Sequence, residues 1–169
     1  MKPPPASRRR VLIIGYGNSW MCDDGAGPAV VERLARATEL DALQASGRLR
    51  LMSCMQLLPE LALEWADVDR VVLIDAAIGL APGALRIHRI ERPQSPPIPG
   101  AASPGAPSLV HRWSPGTLAS LALAIQGRCA RIVAYTIGGE LFEPGAHLSP
   151  QVGQTVTKLA EKLVRRWTK

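Results

Sequence analysis

The sequence predicts an α/β fold built on a mostly parallel, twisted sheet of about five strands. Two observations carry that expectation. The runs Val11 to Ile14 (VLII) and Arg70 to Asp75 (RVVLID) are short, apolar and rich in β-branched residues, without the polar alternation of a half-exposed strand. Segments of helical spacing separate the strands, and the order strand, helix, strand, helix, strand calls for parallel, right-handed crossovers. At 169 residues and 47% hydrophobic, the chain is long enough to bury one real core.

The first strand, Val11 to Ile14, runs into Gly15 and Gly17, which let the backbone turn where a Cβ would clash. After a short loop Pro28 suits a first helical position. Val30, Val31, Leu34 and Ala37 recur at helical spacing, predicting a helix that fades near Leu40. Arg48 to Cys54 (RLRLMSC) alternates as a second strand. Leu57, Leu58, Leu61 and Leu63 to Trp65 form an apolar helical face with Pro59 in its first turn. The third strand, Arg70 to Asp75, is central by its composition. Ala84 to Ile90 (ALRIHRI) is a fourth strand, at an edge given its arginines, with His88 a surface residue. From Glu91 to Ser108 proline, glycine, serine and alanine dominate, predicting a long loop within the domain. Ser114 with Pro115 caps an apolar helix through Leu118, Leu121, Leu123 and Ile125. Arg131 to Ile137 is a fifth strand. Ser149 with Pro150 repeats the cap signature and opens a last helix that runs to about Trp167.

Chemistry concentrates where the first strand meets the first helix. Asp23 and Asp24 lie between a strand's carboxyl end and a helix's amino end, the edge at which open α/β sheets place their ligands. An aspartate there is most often a helix cap, and that role suits one of the two. Adjacent carboxylates repel, so the pair is better explained if a cation or a proton is shared nearby. Gly15-Tyr16-Gly17 matches the start of a dinucleotide fingerprint, but Trp20 stands where its third glycine belongs and the carboxylates would repel a pyrophosphate. Asp75 ends a buried strand, where its charge must either cap the following turn or serve a site. Parallel strands would bring it to the same crevice as Asp23 and Asp24. His111, three residues before the Ser114 cap, can face either way. Glu140 and His147 are weaker candidates in a later loop.

The +6 net charge does not describe a nucleic-acid-binding face. Lys2, Arg8, Arg9 and Arg10 make residues 1–10 a basic arm, expected to be disordered, and a second basic run spans Lys158 to Lys169. Between them, 11 basic residues face 13 acidic ones. Cys22, Cys54 and Cys129 are odd in number, widely spaced and without a CxxC pair, which argues against both a disulfide framework and a cysteine zinc site. No local base activates Cys22. No apolar run approaches the about 20 residues of a membrane helix, and the amino-terminal arm lacks the apolar stretch of a secretory signal, so a cytoplasmic protein is expected.

Four stretches, VLIIGYGNSWMCDDGAGPAVVERL, MQLLPELALEWADVDRVVLIDA, HRWSPGTLASLALAI and IGGELFEPGAHLSPQV, in that order, resemble the endopeptidases that mature the large subunit of nickel-iron hydrogenases. The resemblance spans nearly all of residues 11–169. It implies a three-layer α/β/α sandwich and a cytoplasmic, monomeric protease that removes a C-terminal extension from the large-subunit precursor after nickel insertion. It further implies Asp24, Asp75 and His111 as metal ligands and no permanent cofactor: nickel is presented by the substrate, although another divalent metal suits the same donors. Asp24 or Asp23 would be the general base, unless metal-polarised water takes that part. A non-catalytic chaperone for the nickel-loaded subunit is the alternative. A peptidyl-tRNA hydrolase-like enzyme is disfavoured by the slightly acidic body.

Overall fold

The computed structural model describes residues 9–65, 67–91, 93 and 113–168. His111, residues 1–8 of the basic arm and nearly all of the proline-rich 91–108 segment lie outside the described residues. Five strands form one sheet: β1 (Val11–Tyr16), β2 (Leu49–Cys54), β3 (Arg70–Ala77), β4 (Leu85–Ile90) and β5 (Arg131–Gly138). Their order is β2-β1-β3-β5-β4, parallel throughout except for β4, which runs antiparallel to β5. Edge placement explains why β4 tolerates an exposed His88 together with Arg86 and Arg89.

Helices cover both faces, as a doubly wound sheet requires. On one side α1 (Ala26–Ala35), α2 (Asp41–Ala45) and α5 (Pro150–Trp167) bury a core containing Ile13, Val30, Leu34, Ile74, Ile137, Val156 and Leu159. On the other, α3 (Leu61–Glu64) and α4 (Pro115–Gln126) enclose Leu12, Ile14, Trp65, Leu73, Leu118 and Ala122. Successive residues of β1 and β3 feed opposite cores, which is why these strands are apolar throughout. Among the described residues no helix is long and apolar enough to cross a membrane.

Three local expectations are revised. The first helix stops at Ala35 instead of fading near Leu40. Ala37 turns extended, and a 3-10 turn at Thr38–Leu40 carries Leu40 into the core, where it is fully buried. The apolar stretch around Leu57 to Trp65 yields only one helical turn, because the residue before Pro59 is held out of the helical region. The third strand continues to Ala77, so Asp75 lies within it. Pairing with β1 ends at Gly15↔Ile74, which leaves Asp75 as the first residue of β3 beyond β1.

The contact between β1 and α1 is made through glycine. A Cβ on Gly15 would stand 2.1 Å from the Gly27 carbonyl oxygen, and one on Gly27 would stand 2.3 Å from that of Ile74. These neighbours are backbone and cannot swing aside. Gly27→Ala should therefore push α1 off the sheet and cost stability at the upper end of the about 1–3 kcal/mol typical of overpacking, read from the midpoint of urea unfolding.

Candidate active site

A cleft of about 450 Å³ opens at the carboxyl edge of the sheet, where β1 and β3 are neighbours but their following loops diverge. Asp24 from the β1–α1 loop and Asp75 from β3 both line it. Its walls are Tyr16, Leu57, Leu58, Trp113, Pro115 and Phe142. The only phenylalanine of the chain, one of two tyrosines and one of four tryptophans are thus gathered here. The result is an apolar crevice with two convergent carboxylates, the usual composition of a ligand site.

The loop that carries Asp24 is tightly wound. Gly17 has φ +136°, and a Cβ there would meet the Asp24 carbonyl oxygen at 1.9 Å. Cys22, at φ +44°, is the only described non-glycine residue in the left-handed region. It opens the 3-10 turn Cys22–Gly25, whose three residues per turn aim consecutive side chains about 120° apart. Asp23 and Asp24 therefore point in different directions despite their adjacency.

Asp24 turns back over its own loop. Its Oδ2 accepts the Asn18 backbone N–H at 2.6 Å, while Oδ1 accepts no hydrogen bond among the described residues. Asn18 Oδ1 in turn accepts the Trp20 N–H at 3.0 Å. One oxygen is thus used to fix the carboxylate and the other is left for a ligand.

Asp23 turns the other way and is fully buried. Its Oδ1 accepts the Ser149 N–H at 2.7 Å. Its Oδ2 accepts the backbone N–H of Glu140 at 2.8 Å and of Leu141 at 3.0 Å, and the Ser149 hydroxyl at 2.9 Å. The backbone joins in: Asp23 N–H donates to Leu141 O, Cys22 N–H to Gly145 O, and Gly145 N–H to Trp20 O. Burial pushes the Asp23 carboxyl pKa up, but the hydrogen bonds from Leu141, Glu140 and Ser149 outweigh it and hold the group below the ordinary carboxylate value.

This corrects two expectations from the sequence. Asp23, one of two candidates for the general base, is closed to solvent and both its oxygens are occupied, so it clamps the β1–α1 loop to the β5–α5 loop. Ser149 stands at the amino-terminal cap position of α5, yet its side chain makes no cap bond, because the hydroxyl is drawn to the Asp23 carboxylate. Ser114, by contrast, caps α4 as predicted, accepting the Thr117 N–H at 3.1 Å.

Glu140 and His147 are exposed on the β5–α5 loop, and neither lines the cleft. Cys22 is buried against Gly145. Among the described residues no cluster of three His, Cys, Asp or Glu side chains is placed to hold a metal ion. Trp113 and Phe142 were not singled out from the sequence. Their signal was an aromatic side chain within a Gly/Pro-rich loop.

Removing the Asp23 carboxylate would strand three backbone donors and a hydroxyl. Asp23→Ala should lose about 3 kcal/mol or more, at about 1–3 kcal/mol per buried donor left without an acceptor, measured by urea unfolding. Because the folded-state pKa is depressed, this contribution is complete above the unfolded value of about 3.9 and is lost as pH falls through the lower folded value. Below about pH 4 the stability gap between the parent and Asp23→Ala should narrow.

No protein-family model matches the sequence, and no curated protein sequence does. Solved structures do match in fold. The [NiFe] hydrogenase maturation protease HycI of Thermococcus kodakarensis KOD1 aligns with TM-score 0.69 at 21% identity, over 95% of this chain and 93% of that one. The hydrogenase maturating endopeptidase HybD of E. coli gives 0.62 at 22%, over 91% and 89%. A hydrogenase 2 maturation peptidase from Thaumarchaeota archaeon SCGC_AB-539-E09 gives 0.65 at 19%, over 94% and 98%. The three-layer sandwich described above is the fold of the hydrogenase maturation proteases, shared along nearly the whole chain.

Proposed function

We propose that this protein is an endopeptidase that removes the C-terminal extension of a nickel-iron hydrogenase large-subunit precursor once nickel has been inserted. The observation that carries this is the meeting of Asp24 and Asp75 in one cleft, at the switch point of a fold shared with hydrogenase maturation proteases. In this reading nickel belongs to the substrate. It docks on Asp24 and Asp75, with His111 as the third donor. Trp113, two residues beyond His111 in sequence, lines the cleft, which supports this choice of third donor. Two carboxylates and an imidazole suit a borderline divalent metal.

Such docking explains a gate. A precursor without nickel gains nothing from the three donors, and the carboxylates facing its peptide impose a desolvation cost. Bound through its metal, the precursor lays the scissile segment along the wall formed by Leu57, Leu58, Trp113 and Phe142. Water then adds to the scissile carbonyl carbon, the C–N bond breaks, and the amine leaves with a proton. Of the two loop aspartates only Asp24 lines the cleft, which supports Asp24 over Asp23 as the carboxylate base in this reading.

The test is cleavage of a purified cognate precursor, with and without nickel, read by intact mass. Nickel-dependent loss of a C-terminal peptide is expected. Asp24→Asn should slow it by at least about 100-fold while leaving the unfolding midpoint near that of the parent, the reverse of what Asp23→Ala does. Equal cleavage of the nickel-free precursor would overturn the gate. Binding of the loaded precursor without any cleavage would convert the reading to a chaperone.

A further inference from the structure

The opposite edge of the sheet holds a second concave surface of different chemistry. Arg70 opens β3 and Arg131 opens β5, and the two are direct register partners. Arg89 on β4 pairs with Val133, two residues beyond Arg131, so alternation places all three arginines on the face covered by α5. The last turns of α5 add Lys162, Arg166 and Trp167. Two guanidiniums approach the Trp167 ring, Arg70 at 5.5 Å and Arg166 at 5.7 Å from its centroid. Two cavities of about 220 and 380 Å³ share Arg70, Arg89, Val133 and Arg166 as lining, and Ile87 and Tyr135 add an apolar floor.

Arg70, Arg89, Arg131 and Arg166 form no ion pair among the described residues. All 14 aspartates and glutamates are among the described residues, and none of them pairs with these four arginines. Asp69, next to Arg70 in sequence, is engaged by the Arg10 N–H and lies against Arg128. Burial first, then the like charges of Arg166, Arg131 and Arg9, push the Arg70 pKa down from its ordinary value. Guanidiniums crowded in this way raise the free energy of the folded chain unless an anion neutralises them.

We propose that this pocket binds a compact multivalent anion carrying phosphate groups, a di- or triphosphate, through Arg70, Arg89, Arg131 and Arg166. Shape and charge density favour that class over an acidic protein segment. Four guanidiniums converge on concavities of a few hundred Å³, and a polyphosphate concentrates several charges in that space, whereas peptide carboxylates bring one charge each along an extended chain. The planar fork of arginine matches phosphate oxygens in pairs. Inorganic polyphosphate and a nucleoside polyphosphate share this chemistry and differ in what occupies the Ile87 and Tyr135 floor.

Calorimetric titration of the full chain with tripolyphosphate, ATP and a poly-glutamate peptide tests the site. Saturable one-to-one binding of tripolyphosphate or ATP is expected. Affinity should weaken about tenfold per guanidinium removed, hence about 100-fold in the double variant Arg89→Gln/Arg131→Gln. Both positions are exposed, and relief of repulsion should leave that variant at least as resistant to urea as the parent. Arg33→Gln/Arg36→Gln, which removes the same charge at the carboxyl end of α1, should bind as the parent does. Equal affinities for the two ligands would identify the phosphate chain as the recognised group, and a tighter ATP would assign the floor to a nucleoside. No saturable phosphate binding, affinity unchanged in the first double variant, equal loss in the second, or binding of poly-glutamate alone would each overturn the proposal.

Discussion

The carboxylate of Asp23 is the interaction on which the cleft depends. It is fully buried and accepts four hydrogen bonds, all from the segment that joins β5 to α5. A charge in that position would be expensive alone. Saturated, it locks the β1–α1 loop, which is bent at Gly17 and Cys22, to a loop that crosses from the far side of β3. Once Asp23 is held, the 3-10 turn leaves its neighbour no freedom either, and Asp24 is delivered to the cleft with one oxygen fixed and one open. The adjacent acids are therefore a buried clamp and a cleft-lining carboxylate, and the clamp sets the aim of the second.

Close approach of backbones serves the same end. Gly139 and Gly145 on the clamped loop accommodate Phe142, Asp23 and Cys22, where a Cβ would stand 2.4 Å from the Phe142 ring and 2.8 Å from the Cys22 sulfur. Gly15 and Gly27 bring α1 down onto β1 and β3. With helix and loop this close to the strand ends, the cleft floor is built by the first turns after β1 and β3. The wall is left to the bulky side chains Trp113, Leu57, Leu58 and Phe142.

Much of this was legible in the sequence because the signals were local. Uninterrupted β-branched runs located β1 and β3, the two arginines of Leu85–Ile90 placed β4 at an edge, and Ser-Pro pairs set the starts of α4 and α5. The shared crevice of Asp24 and Asp75 followed from parallel strands alone. What could not be read was anything decided by contacts distant in sequence. Asp23 and Ser149 are separated by 126 residues, and nothing in either segment says that the cap hydroxyl of α5 belongs to the first loop. The early end of α1 is of the same kind, since the gain from burying Leu40 is visible only with the core in place.

Charge shows the limit most clearly. Counted along the chain, the body is slightly acidic and the excess of positive charge falls in the two terminal segments, which argues against a basic surface. The topology redistributes that count. Parallel strands collect their first residues at one edge and their loops at the other, so Arg70 and Arg131, 61 positions apart in sequence, become register partners while Asp24 and Asp75 meet at the opposite end. The antiparallel turn of β4 then returns Arg89 to the edge where Arg70 and Arg131 begin, and the carboxyl end of α5 descends onto the same place with Arg166. A chain with near-balanced charge in its body thus folds into a molecule with carboxylates in the cleft at one end and clustered guanidiniums at the other. No described aspartate or glutamate pairs with those guanidiniums, and their grouping is a property of the fold, not of any local run of sequence.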